Sequence, residues 1–312
     1  ADHAEPEAEA DRDQRLKRRA ASEGDEGREP QEIDGEILGR PEAQREIEQA
    51  QRELQREARV QARVVSRVRV NPDIGVRYTN QETKSFAVSG TPRVNIATFD
   101  GPITVHGWDQ AEVRYTATKR AQDQDSLNRI SIQTEQQGPS ISINAVNENE
   151  ENGSVILDVY VPRQASLHVS SGDGPLILDG VSGDITLRSN DGPITVSNSG
   201  GQLHVNTGDG PIHINKFDGQ VDARTGDGPI ALDGNFNALS ARTGDGEISL
   251  TVPAGSSFTI ETNASEAIEQ EGFNVAEDIT PSPRVKRWKV GNGGRVFVLR
   301  TGEGRILLRP RN

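Results

Sequence analysis

The chain has 312 residues, of which only 32% are hydrophobic and 4% aromatic, with seven Phe, three Tyr and two Trp, so it can fill a narrow aliphatic core but not a broad globular one. It has no Cys, which excludes disulfides, thiolate nucleophiles and thiolate metal sites, and no Met even at position 1, as expected of a processed, exported chain. A net charge of −13 argues against general nucleic-acid binding, and no apolar run approaches the roughly 20 residues of a membrane span.

Residues 1–40 are charged and nearly devoid of apolar side chains apart from Leu16, Ile33, Ile37 and Leu38, so the arm is expected to be disordered unless a partner binds it. Residues 41–66 read as an amphipathic helix. Pro41 suits the first helical position, and Ile47, Ala50, Leu54, Ala58, Gln61, Val65 and Val68 fall on one weak stripe. Such a helix would cap the open end of the domain that follows or dock on a neighbouring subunit.

From residue 67 the pattern alternates as strands do. Phe86-Ala87-Val88, Val94-Asn95-Ile96, Ile103-Thr104-Val105 and Val113-Arg114-Tyr115 come first, then Ile130-Ser131-Ile132, Ile141-Ser142-Ile143 and a run from Val155 to Val159. Asp100–Val105 copies the corner that recurs later, and the longer runs from Val113 on predict wider coils.

Between 172 and 250 the repeat becomes strict. A glycine recurs every nine positions at Gly174, Gly183, Gly192, Gly201, Gly210, Gly219, Gly228 and Gly246, with Asn237 as the one substitute. Asn is the non-Gly residue that most readily takes a positive φ, so the position is expected to need left-handed backbone. Each member is followed at +2 and +4 by apolar residues such as Ile194/Val196 and Ile212/Ile214. Alternate corners read Gly/Asn-Asp-Gly, which makes the true repeat eighteen residues. The expectation is an all-β, parallel β-solenoid with two short strands per eighteen-residue coil. A hexapeptide helix fails because its apolar positions would fall on Ser182 and Arg188; a calcium β-roll fails because the Asp appears only in alternate corners. Pro175, Pro193, Pro211 and Pro229 follow the corner glycine, where a missing N–H is tolerated. The composition of 263–284 predicts a loop, and Val296–Leu299 and Gly304–Leu308 close the 67–312 domain.

Two sets of residues are candidates for a site. Asp173, Asp191, Asp209, Asp227 and Asp245 should stack corner on corner, where they would either accept turn hydrogen bonds or hold calcium-like cations. Arg188, His204, Asp222, Arg224 and Arg242 should share one outward face that could take an anion or a polysaccharide. The other outward face carries Ile177, Thr195, His213, Ala231 and Ser249. The histidines are scattered, no phosphate loop, Gly-x-Ser-x-Gly or zinc spacing occurs, and no cofactor is expected.

The Phe99–Trp108 segment, Val159-Tyr160-Val161-Pro162, the Thr-Gly-Asp-Gly series and Thr301-Gly302-Glu303-Gly304-Arg305-Ile306 together resemble the bacterial DUF4097 family of β-strand repeat proteins, some of which carry the label of candidate adhesins. The likeness covers about 84–312 and leaves out 1–70. It implies a β-solenoid or β-roll domain, commonly exported or envelope-associated, and it brings no catalytic residues. The expectation is therefore a non-catalytic extracytoplasmic module that self-associates into a surface assembly or filament, with a glycan-binding adhesin and a polysaccharide lyase or hydrolase as alternatives.

Overall fold

The eighteen-residue period is a hydrogen-bonded register. In the computed structural model, Leu176 pairs with Ile194, Ile194 with Ile212, Ile212 with Ile230 and Ile230 with Ile248, all in parallel. The structure describes residues 78–148, 153–263, 268–270, 272–278 and 285–311, all within one unit, Asn71–Asn312. The expected arm at 1–40 and helix at 41–66 lie outside the described residues.

In chain order the strands are β1 (Tyr78–Ala87), β2 (Arg93–Thr98), β3 (Ile103–Trp108) and β4 (Glu112–Ala121). A six-residue helix, α1 (Gln124–Arg129), precedes β5 (Ile130–Gln137), β6 (Ser140–Asn147) and β7 (Gly153–Pro162). The repeats supply β8 (Ser166–Ser171), β9 (Leu176–Asp179), β10 (Ser182–Ser189), β11 (Ile194–Ser197), β12 (Gly200–Asn206), β13 (Ile212–Arg224), β14 (Ile230–Arg242) and β15 (Ile248–Pro253). The chain ends through β16 (Phe258–Thr262), β17 (Glu269–Gln270), β18 (Val275–Asp278), β19 (Lys286–Val290), β20 (Val296–Arg300) and β21 (Ile306–Arg311).

All these strands join one mixed sheet with two wings. The first wing runs β1-β4-β7-β3-β9-β11-β13-β14-β15-β21-β17. The second runs β5-β6-β2-β8-β10-β12-β13-β14-β20-β16-β19-β18. The long strands β13 and β14 belong to both wings. The +2/+4 apolar residues from Leu176 to Leu250 are all buried in one continuous cluster. Their alternation with exposed neighbours is what a strand with one wet face demands.

The fold is all-β, but parallel coils describe only its middle. The pairs β1–β4, β4–β7, β5–β6, β16–β19 and β18–β19 are antiparallel. What read as wide early coils is an excursion between β3 and β8, after which Leu176 returns to pair with Ile103. A second excursion separates β15 from β20, yet Leu239 pairs with Phe297 and Ile248 with Ile306. Alternating apolar residues look alike in both pairing senses, so the sequence pattern does not distinguish them. The span read as a loop, 263–284, includes the short strands β17 and β18. Helix α1 went unread; Asp123 starts it by accepting from the Ser126 N–H at 2.7 Å.

The corner glycines also differ from expectation. Gly183, Gly201 and Gly219 do take positive φ, but Gly174, Gly192, Gly210, Gly228 and Gly246 do not. At Gly210 the requirement is space: an added Cβ would sit 2.3 Å from the Gly192 carbonyl oxygen of the coil before. Asn237 is not left-handed either. It is the extra residue of a bulge, because Gly219 pairs with Phe236 and Gln220 with Ala238. Among the described residues, the left-handed non-glycine positions are Asn198 and Lys216, in the looser corners. The prolines behave as expected, and their carbonyls serve the ladder, with Leu176, Ile194 and Ile212 N–H donating to Pro193, Pro211 and Pro229.

Candidate functional site

The Asp-Gly corners are built by hydroxyls one residue inside them. Ser171, Ser189, Thr207, Thr225, Thr243 and Thr301 are buried. Each reaches back one coil: Thr207 Oγ1 donates to the Gly192 carbonyl at 3.0 Å, Thr225 to Gly210 at 2.9 Å and Thr243 to Gly228 at 2.8 Å. The aspartates stand outside this row, exposed. Asp191 Oδ1 accepts from the Asp209 N–H, and Asp209 Oδ1 from the Asp227 N–H, both at 3.2 Å. Asp173, Asp191, Asp209, Asp227 and Asp245 therefore occupy successive corners, and the middle carboxylates point along the stack into the next coil's backbone. Among the described residues no group of three or more His, Asp or Glu is placed to hold a metal ion.

The second wing carries the other candidate set on its outer surface. His168, Thr186, His204, Asp222, Ser240 and Val298 form one column by register. Beside it run Ser170, Arg188, Asn206, Arg224, Arg242 and Arg300. The structure thus brings Arg188, His204, Asp222, Arg224 and Arg242 to one face. A shallow recess of about 400 Å³ opens among Thr186, Arg188, His204, Asn206, Asp222 and Arg224. Arg224 Nη2 donates to Asp222 Oδ2 at 2.8 Å, and His204 Nδ1 stands 3.9 Å from that oxygen. Asp222 Oδ1 has no hydrogen-bond partner. Arg188, Arg242 and Arg300 are exposed and have no acidic partner among the described residues. Arg300 was missed because an insertion separates it from the strict repeat. Its signal was present: Arg300-Thr301-Gly302-Glu303-Gly304 echoes Arg242-Thr243-Gly244-Asp245-Gly246.

The first wing's outer surface holds a cluster that the repeat pattern did not reveal. His106 stacks on Tyr160 with ring centroids 4.9 Å apart, and Trp108 tilts over Tyr160 at 5.2 Å. The Arg114 guanidinium lies 4.3 Å over the indole, whose Nε1 donates to the Glu112 carbonyl at 2.9 Å. This arrangement fixes Trp108 from β3 across β7 onto β4, and it covers the join between parallel and antiparallel pairing.

The model of the Toastrack DUF4097 family matches residues 92–308. The chain belongs to that family. The match runs from β2 into β21 and includes the Asp-Gly corners and the arginine column. No curated protein matches the chain. Solved structures that resemble it are distant. A candidate cell-adhesion protein from Clostridium sporogenes is 10% identical, with 75% of this chain and 100% of that one covered at a TM-score of 0.31. A candidate adhesin from Bacteroides fragilis is 11% identical, with 74% and 97% covered at 0.37. A candidate lipid-binding protein from Parabacteroides distasonis is 12% identical, with 73% and 96% covered at 0.39.

Proposed function

We propose that this Toastrack protein is a non-catalytic, extracytoplasmic interaction module that binds surface glycans through the arginine-bearing face of its second wing. The observation that carries this is the row of exposed arginines, Arg224, Arg242 and Arg300, on adjacent parallel strands beside the recess at His204 and Asp222. Arginine presents a planar donor fork suited to acidic groups, and a rigid sheet holds the forks in fixed register. By contrast, the corner aspartates are used along the stack, which supports a structural part for them over a metal-binding or hydrolytic one. Replacing Arg188, Arg224 and Arg242 with Ala should abolish binding on a glycan array while the melting temperature holds. Unchanged array binding would end the proposal.

Self-association is the second reading, and the sheet's edges favour it. Among the described residues β1 pairs only with β4, β5 only with β6, β17 only with β21 and β18 only with β19. Open edges offer backbone groups to another strand. The 1–66 segment is proposed to cover or join such edges. Deleting it and measuring mass in solution tests this; an unaltered oligomer would remove the segment from the assembly.

A further inference from the structure

We infer that the arginine column takes an extended acidic polysaccharide lying across the strands, its carboxylate or sulfate groups set against successive guanidinium groups. This rests on the glycan-binding reading of the same face and names the class of glycan.

Three features point to it. The first is charge placement. In a chain with 48 acidic and 35 basic residues, several arginines outside the column are paired: Arg163 with Asp109, Arg287 with Glu261, Arg305 with Glu247 and Arg311 with Asp233. Arg242 and Arg300 are instead placed side by side, next to Arg224, with no acidic residue to separate them. Like charges directly opposed on neighbouring strands destabilise a sheet, and an anion lying along this row would relieve that cost.

The second feature is spacing. Successive strands stand about 4.8 Å apart, comparable to the length of one sugar residue in an extended chain. From Arg188 through Asn206, Arg224 and Arg242 to Arg300 the column covers five strands, a run of roughly 19 Å at that spacing. Arg188 stands one strand beyond Asn206, a neutral rung in the row. The ligand axis would be perpendicular to the strands and parallel to the stack.

The third feature is the adjoining column. Thr186, His204, Asp222 and Ser240 put a hydroxyl, an imidazole or a carboxylate beside the first four rungs, with Val298 beside Arg300. These groups suit sugar hydroxyls, as the guanidinium groups suit sugar acids. No Trp, Tyr or Phe occupies either column, so the face lacks the stacking platform that single-stranded nucleic acid uses.

The test is calorimetric titration of the full chain with polygalacturonate, with its methyl-esterified form of equal length, and with oligo-deoxythymidine of matched charge. We expect polygalacturonate to bind, its methyl ester to bind at least about tenfold more weakly, and affinity to fall with added salt. The Arg242→Ala/Arg300→Ala variant should lose at least about tenfold in affinity, with an unchanged or higher melting temperature because the repulsion is relieved. Equal binding of the methyl ester would overturn the acidic class and leave the glycan-binding face standing. Equal binding of oligo-deoxythymidine would make the row a general anion strip and overturn the polysaccharide. Failure to bind either polygalacturonan, or wild-type affinity in the double variant, would overturn the inference outright.

Discussion

Thr243 uses one hydroxyl for three hydrogen bonds. It shares its one proton between the Gly228 carbonyl at 2.8 Å and the Gly226 carbonyl at 3.2 Å, and it accepts from the Gly246 N–H at 3.2 Å. Thr243→Val keeps the shape and strands these buried groups, so urea unfolding should show a loss of about 1–3 kcal/mol. Lys216 makes the opposite case. Its φ of 53° is left-handed backbone for a residue that has no intrinsic reason to adopt it. Lys216→Gly should therefore raise stability by about 1 kcal/mol in the same assay, while Lys216→Val should lower it. His213, exposed on the first wing's outer surface between Thr195 and Ala231, is held below the ordinary histidine value by partial desolvation of its ring. The unfolded chain then takes up a proton more readily than the folded one, so stability falls as the pH drops below 6.5. His213→Gln should remove that part of the slope from denaturation midpoints measured between pH 7 and 5.

At the scale of the coil, the controlling fact is how closely one corner approaches the next. Gly210→Ala would place a methyl group 2.3 Å from the Gly192 carbonyl oxygen and 2.7 Å from that of Asp191. Both neighbours are backbone held in the ladder, so the coils must part, and a loss of about 3 kcal/mol is expected by chemical denaturation. The repeat was legible in the sequence because a nine-residue half-coil forces its inward pair to recur: Ile194/Val196 and Ile212/Ile214 lie where the spacing puts them. The reason for the glycines was not legible, since a tight approach and a left-handed turn select the same residue type. Nor was pairing sense outside the repeat. Val113-Arg114-Tyr115 in antiparallel β4 and Val94-Asn95-Ile96 in parallel β2 have the same alternation. Of the candidate face, Arg188, His204, Asp222, Arg224 and Arg242 followed from register alone, whereas Arg300 required knowing that the chain returns to the stack after its second excursion.

For the molecule as a whole, two long excursions leave and rejoin one ladder, and the outer arginine column crosses the second junction unbroken. The column's length, and with it the proposed fit to an extended acidic chain, depends on β20 lying directly beside β14. Because the chain has no cysteine of its own, that neighbour relation can be tested by paired substitution. Ser240 is the register partner of Val298, and Asp222 lies one strand further away. Neighbouring strands stand about 4.8 Å apart, within the Cα separation a disulfide can bridge, whereas a gap of two strands exceeds it. Ser240→Cys/Val298→Cys should cross-link on mild oxidation of the folded protein, and Asp222→Cys/Val298→Cys should stay reduced. Cross-linking of the second pair, or of neither, would contradict the continuous ladder on which the fold and the binding face both depend.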